Sequence, residues 1–121
     1  VDDPTGSLAR IRVGADLADV LKDADLVQEN GPETVEAKRA LFAEMDKLAA
    51  PKTILASSTS FIMASVFSET LAGRARCLVA HPVNPPHLVP IVELAPAPWT
   101  DPAVVERAKA IYEAAGQVPI T

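Results

Sequence analysis

A histidine and a glutamate stand on either side of a proline-rich stretch in this chain, His81-Pro82-Val83-Asn84-Pro85-Pro86-His87-Leu88-Val89-Pro90-Ile91-Val92-Glu93. The apolar run Cys77 to Ala80 leads into His81, and a second apolar run, Leu88 to Val92, ends on Glu93. This pattern predicts a strand, a tight connection and a second strand. Reversal about His87 sets His81 opposite Glu93, each six residues from the turn. An imidazole held in one tautomer by a carboxylate on one ring nitrogen can move a proton to or from a substrate oxygen at the other. Spacing alone also fits a loop histidine beside a surface acid, because polar residues gather in loops whether or not they act.

Positioning such a pair requires a framework, and the rest of the chain reads as strands alternating with helices. Ala9 to Val13 alternates as a short strand closed by Gly14, and Asp16 can cap a short helix through Leu21. Leu26 to Glu29 reads as a buried strand. The turn Asn30-Gly31-Pro32 follows, and Glu33 opens a long helix with Val35, Leu41, Phe42, Met45 and Leu48 on its apolar stripe. Pro51 ends it. Thr53 to Ala56 is a further strand, then come the hydroxyl-rich residues Ser57 to Ser60 and a helical stretch that stops near Gly73. After the His81 hairpin, Asp101 and Pro102 supply an N-cap and a first-turn proline for a helix ended by Gly116, and Val118 to Ile120 forms a last strand. The class is therefore α/β, with parallel strands, right-handed crossovers and flanking helices.

Composition narrows the function. At 121 residues and 49% hydrophobic the chain suits one domain or part of a larger one, and its net charge of -5 argues against nucleic acid or an anionic membrane as the main partner. Cys77 is the single cysteine and lies in an apolar run, so neither a disulfide framework nor a Cys/His metal set is expected, and a reducing, cytoplasmic setting is. No run approaches the length of a membrane span, and the N-terminus has no signal pattern.

Ligands of such sheets sit beyond the carboxyl ends of the strands, and three polar groups fall there. They are Glu29, Asn30 and Glu33; Ser57 to Ser60; and His81 with Asn84. Loop backbones also need polar neighbours, so the coincidence alone leaves both readings open. Lys38 falls between Val35 and Leu41 on the inner stripe of its helix, where its stem can pack while the ammonium either reaches a rim site or snorkels to solvent. Ser58 and Ser60 can equally bond their own turn.

Four segments in order carry a resemblance: Glu33 to Lys38, Ala56 to Ser60, His81 to Pro86, and Val92-Glu93-Leu94. Together they are similar to the 3-hydroxyacyl-CoA dehydrogenase superfamily, and most of all to its lambda-crystallin, or L-gulonate 3-dehydrogenase, branch. The resemblance spans about Ala24 to Ile120. It implies a Rossmann-type NAD-binding domain and the NAD-dependent oxidation of a secondary alcohol beta to a carboxylate or thioester. In that reaction His81 is the base, Glu93 orients it, and Ser60 lies near the substrate oxygen and nicotinamide. Glu33, Lys38, Ser58 and Asn84 resemble cofactor-contacting positions, and a small hydroxy acid substrate and a homodimeric parent are implied. Pro82-Val83 stands where many hydroxyacyl-CoA dehydrogenases carry an aromatic residue, which favours the gulonate branch over a CoA substrate.

The five glycines form no Gly-x-Gly-x-x-Gly turn, so the chain is expected to be the second half of an NAD-binding domain, without the Gly-rich unit and the helical C-terminal domain. Alternatives from other classes are a crystallin-like structural protein without required activity and a flavodoxin-like binding module. The second would need its own phosphate loop, and none is evident.

Overall fold

The computed structural model describes residues 4–85 and 87–121; Val1 to Asp3 of the polar lead, and Pro86 of the connection, lie outside the described residues. Five strands form one sheet in the order β1-β2-β3-β4-β5: Leu26–Glu29, Ile54–Ser57, Cys77–Pro82, Ile91–Pro96 and Val118–Ile120. The first three are mutually parallel, β4 runs antiparallel to β3, and β5 is parallel to β4. The helices are α1 (Pro4–Arg10), α2 (Leu17–Leu21), α3 (Val35–Leu48), α4 (Ala64–Ser68) and α5 (Pro102–Ala114).

The two-residue period of the strands divides the core. Leu55, Cys77 and Val79 pack with Leu21, Phe42, Met45 and Phe67 under α3 and α4, and the Phe42 and Phe67 rings lie 4.3 Å apart. Ile54, Ala56, Leu78, Ala80, Val92 and Leu94 pack with Val104 and Ala108 of α5 on the opposite face. β2 is buried along its whole length because helices cover both of its faces. The same alternation sends Glu29 and Ser57 toward α3, and Gln28 and Ser58 toward α5.

Several expectations need correction. Residues 9–13 are not a strand: α1 runs to Arg10, the Ile11 N–H bonds Leu8 O at 3.1 Å, and Ile11 and Val13 are 67% and 94% exposed. Alternation makes a strand only where a neighbouring strand takes the backbone bonds, and none lies beside this segment among the described residues. Glu33 does not open α3. Thr34 caps it, its hydroxyl accepting from Ala37 N at 3.2 Å, which leaves Glu33 outside the helix. Leu88 and Val89 are not in the second strand, because both N–H groups bond Pro85 O in a turn and β4 begins only at Ile91. Glu93 therefore sits inside β4 rather than at its end. The helical stretch after the hydroxyl cluster stops at Ser68, and a separate 3-10 turn, Arg74–Arg76, leads into β3.

Candidate active site

β3 and β4 pair with His81 directly opposite Glu93, and both side chains project on the α4 face because Ala80, Val92 and Leu94 occupy the α5 side. His81 Nδ1 lies 3.5 Å from Glu93 Oε1, with the two side chains 29% and 55% exposed. This is an ion-pair distance, longer than a direct hydrogen bond of about 2.7 to 3.2 Å. With Glu93 on the Nδ1 edge, the Nε2 edge is the one left to meet a substrate. A cleft of about 200 Å³ joins the pair to Thr59, Ser60, Phe61, Ile62, Met63, Val79 and Ala95. Ser60 thus shares their rim, as expected.

A second cleft, of about 230 Å³, shares Thr59, Ser60 and His81 with the first and runs over the ends of β1 and β2, where it adds Glu29, Asn30, Gly31, Glu33, Lys38, Ser58 and Asn84. All seven candidate residues line one cleft or the other. Lys38 does not snorkel to solvent. Its side chain is 1% exposed, and Nζ lies 3.0 Å from both Glu29 oxygens and 3.1 Å from Glu33 Oε1. Glu29 is as buried as Lys38 and also accepts from Ser57 Oγ at 2.6 Å and Gly31 N at 2.5 Å. Glu33 accepts from Thr59 Oγ1 at 3.0 Å and from Ser60 N at 3.3 Å. Burial pushes its carboxyl up, but the Lys38, Thr59 and Ser60 hydrogen bonds outweigh that and hold it below the usual carboxylate range.

Glu29 and Thr59 stood among the polar strand-end residues of the sequence but were given no role there. Glu29 carried a signal nonetheless, since a carboxylate on the inward face of a buried strand needs a cation, and Lys38 was the cation on an inner stripe. His87 is exposed in the connection and Cys77 is buried, so neither joins the site. The Trp99 indole N–H bonds Ser68 Oγ at 3.1 Å, anchoring the loop before α5. Among the described residues no cluster of His, Cys, Asp or Glu could hold a metal.

The profile described as "3-hydroxyacyl-CoA dehydrogenase, NAD binding domain" matches residues 2–121. The chain belongs to the 3-hydroxyacyl-CoA dehydrogenase family. It is 48% identical over 106 residues to a lambda-crystallin homolog of Bos taurus, covering 88% of this chain and 33% of that one. It is 38% identical over 117 residues to an L-carnitine dehydrogenase of Pseudomonas putida, covering 97% and 36%. A diketoreductase structure superposes with a TM-score of 0.90 at 33% identity, covering 95% of this chain and 41% of that one. The (S)-3-hydroxybutyryl-CoA dehydrogenase of Ralstonia eutropha gives a TM-score of 0.90 at 28% identity, covering 99% and 42%. The chain spans about a third of the length of the curated relatives it matches. The Rossmann-type reading holds, and the cofactor of this family domain is NAD.

The second cleft fits one end of that cofactor. All three Lys38 donors are engaged by Glu29 and Glu33, and no other Lys or Arg lines the cleft, so it offers no cation to a diphosphate. It does offer carboxylate acceptors, the Ser58 and Ser60 hydroxyls and the Asn84 amide, a set that suits the uncharged nicotinamide and ribose groups.

Proposed function

We propose that this domain supplies the nicotinamide-end site and the proton-transfer pair of an NAD-dependent oxidoreductase acting on the secondary hydroxyl of a hydroxy acid or hydroxyacyl substrate. The observation that carries the reading is the continuity of the two clefts. The His81–Glu93 pair stands in the first, the polar NAD-type cleft is the second, and His81, Ser60 and Thr59 line both. NAD, when bound, supplies the hydride acceptor. His81 takes the hydroxyl proton of the substrate, and Glu93 holds the ring through Nδ1 and balances the imidazolium that forms. Ser60, at the boundary of the clefts, is placed to hold the substrate oxygen. Glu33, Ser58 and Asn84 bind the sugar and carboxamide of the cofactor, and Lys38 keeps Glu33 in place from beneath.

A small hydroxy acid of the gulonate kind is the substrate we favour, because similarity to lambda-crystallin homologs recurs among the relatives. The wall beside His81 is apolar, with Phe61 and Met63 72% and 67% exposed, which suits the substrate's carbon skeleton or a covering domain of the parent enzyme. With no cation for the diphosphate in its cleft, the isolated chain should bind NAD weakly. The decisive experiment replaces His81 by Asn in the full-length enzyme. Turnover should fall by about a hundredfold to ten-thousandfold, the usual worth of a positioned acid or base, with little effect on NAD affinity. Near-normal turnover would remove His81 from the mechanism.

A further inference from the structure

Gln28 is the one polar residue that β1 turns toward α5, and its amide bridges three elements. Nε2 lies 2.7 Å from Ser58 Oγ and 2.7 Å from Ala80 O, while Oε1 accepts from the Tyr112 hydroxyl on α5. A backbone carbonyl can only accept, so the amide nitrogen must face Ala80; the flipped amide would set two oxygens against each other. That fixes the other amide hydrogen on Ser58 Oγ and leaves Oε1 to receive the Tyr112 proton. Tyr112 keeps that proton, because burial pushes its pKa up to about 12. The consequence falls on Ser58. Its oxygen accepts from Gln28 and bonds no other group among the described residues, so its own O–H remains free at the wall of the polar cleft. Across that cleft Glu29 and Glu33 are acceptors whose nearest cation, Lys38, is fully engaged.

We infer that Gln28, held by Tyr112 and Ala80, is a positioning residue that commits Ser58 to donate a hydrogen bond to an acceptor oxygen of the uncharged nicotinamide–ribose end of the cofactor. This rests on the reading of the second cleft as the NAD site. It explains how the cleft holds a group bearing both donors and acceptors: ligand hydroxyl or amide hydrogens go to Glu33, and a ligand oxygen goes to Ser58. A serine free to rotate would discriminate neither.

The test uses the full-length enzyme and calorimetric titration with NAD. Ser58→Ala should weaken binding about threefold to tenfold, the equivalent of one neutral hydrogen bond, and Ser58→Thr should retain affinity. Gln28→Met should weaken NAD to a similar degree alone but add nothing in the S58A background, since it acts through Ser58. Tyr112→Phe, which leaves the Ala80 bond intact, should do the same at smaller size and keeps the protein measurable if Gln28→Met unfolds it. A merely structural Gln28 would lower the melting temperature without this coupling. The thionicotinamide analogue, whose sulfur is a poor acceptor, separates two sources of the oxygen. Discrimination against it that vanishes in S58A assigns the carboxamide, and unchanged discrimination assigns a ribose oxygen. Wild-type affinity in S58A, or equal losses from Gln28→Met in both backgrounds, overturns the inference. Glu33→Gln serves as the control: if it too leaves NAD binding untouched, the cofactor cleft itself is misassigned, whereas weakening by Glu33→Gln alone sinks only the role of Ser58.

Discussion

Replacing Lys38 by Met removes the cation beneath the candidate cofactor cleft and leaves a carboxylate stranded. Glu29 is 1% exposed on its side chain, and without Lys38 it retains only the Ser57 hydroxyl and the Gly31 N–H. Glu33, at 40% exposed, can rehydrate, so its half of the interaction is worth no more than about 1 kcal/mol. The Glu29 half is different, since breaking a buried pair by removing one partner costs about 3 to 5 kcal/mol. Lys38→Met should therefore lower stability by about that amount, while Glu33→Gln costs about 1 kcal/mol or less. The double variant Lys38→Met with Glu29→Leu should recover most of the loss, because no charge is then left buried. Urea unfolding followed by circular dichroism measures all three, with the slope required to stay constant so that midpoints report stability. A Lys38→Met loss below about 1 kcal/mol would refute the reasoning, since it would mean that the ammonium is hydrated and the pair is not buried.

Three further outcomes follow from local geometry. Cys77, pushed up to about 12 by burial and by the Asp46 charge against the opposing pull of Arg76, should resist a thiol reagent at about pH 8 in the native protein and react once urea exposes it; native reaction at the free-thiol rate would contradict its burial. Gly73→Ala should cost about 1 to 3 kcal/mol in urea unfolding, because a Cβ there would lie 2.2 Å from Asp46 Oδ1 and 2.8 Å from Arg76 Nε, atoms held by the Arg76–Asp46 pair at 2.8 Å. An unchanged midpoint would show that the pair yields freely. Since the folded-state pKa of Glu33 is depressed, its contribution is present above the ordinary carboxylate value of about 4.3 and is lost as acid takes pH below it. Urea midpoints taken between about pH 6 and pH 3 should accordingly fall less steeply for Glu33→Gln than for the wild type, and parallel curves would count against the hydrogen bonds assigned to Glu33.

What the sequence determined by itself was whatever local chemistry dictates. The prolines after His81 deny backbone donors and force a reversal, and a reversal centred on His87 leaves the register no choice, so His81 met Glu93 as the spacing required. The 3.6-residue stripe of α3 through Phe42 and Met45, though not its end at the 38% exposed Leu48, the Asp101 cap and the Pro102 start of α5 were likewise readable, because each depends on neighbours within a turn or two. Spacing and strand-end position marked the seven candidate residues, the family resemblance gave them roles, and the two clefts bring all of them together.

Tertiary structure decided the rest. Whether residues 9–13 would pair was a question about a neighbouring strand, which no local pattern answers. Lys38 had two open fates on its helix face, and the choice fell to Glu29, a residue on another element whose carboxylate α3 happens to cover. Gln28 gave no signal at all. Its amide acquires meaning only when Ala80, two strands away, and Tyr112, on a helix near the end of the chain, close around it, because hydrogen-bond polarity is fixed by partners that the fold alone assembles.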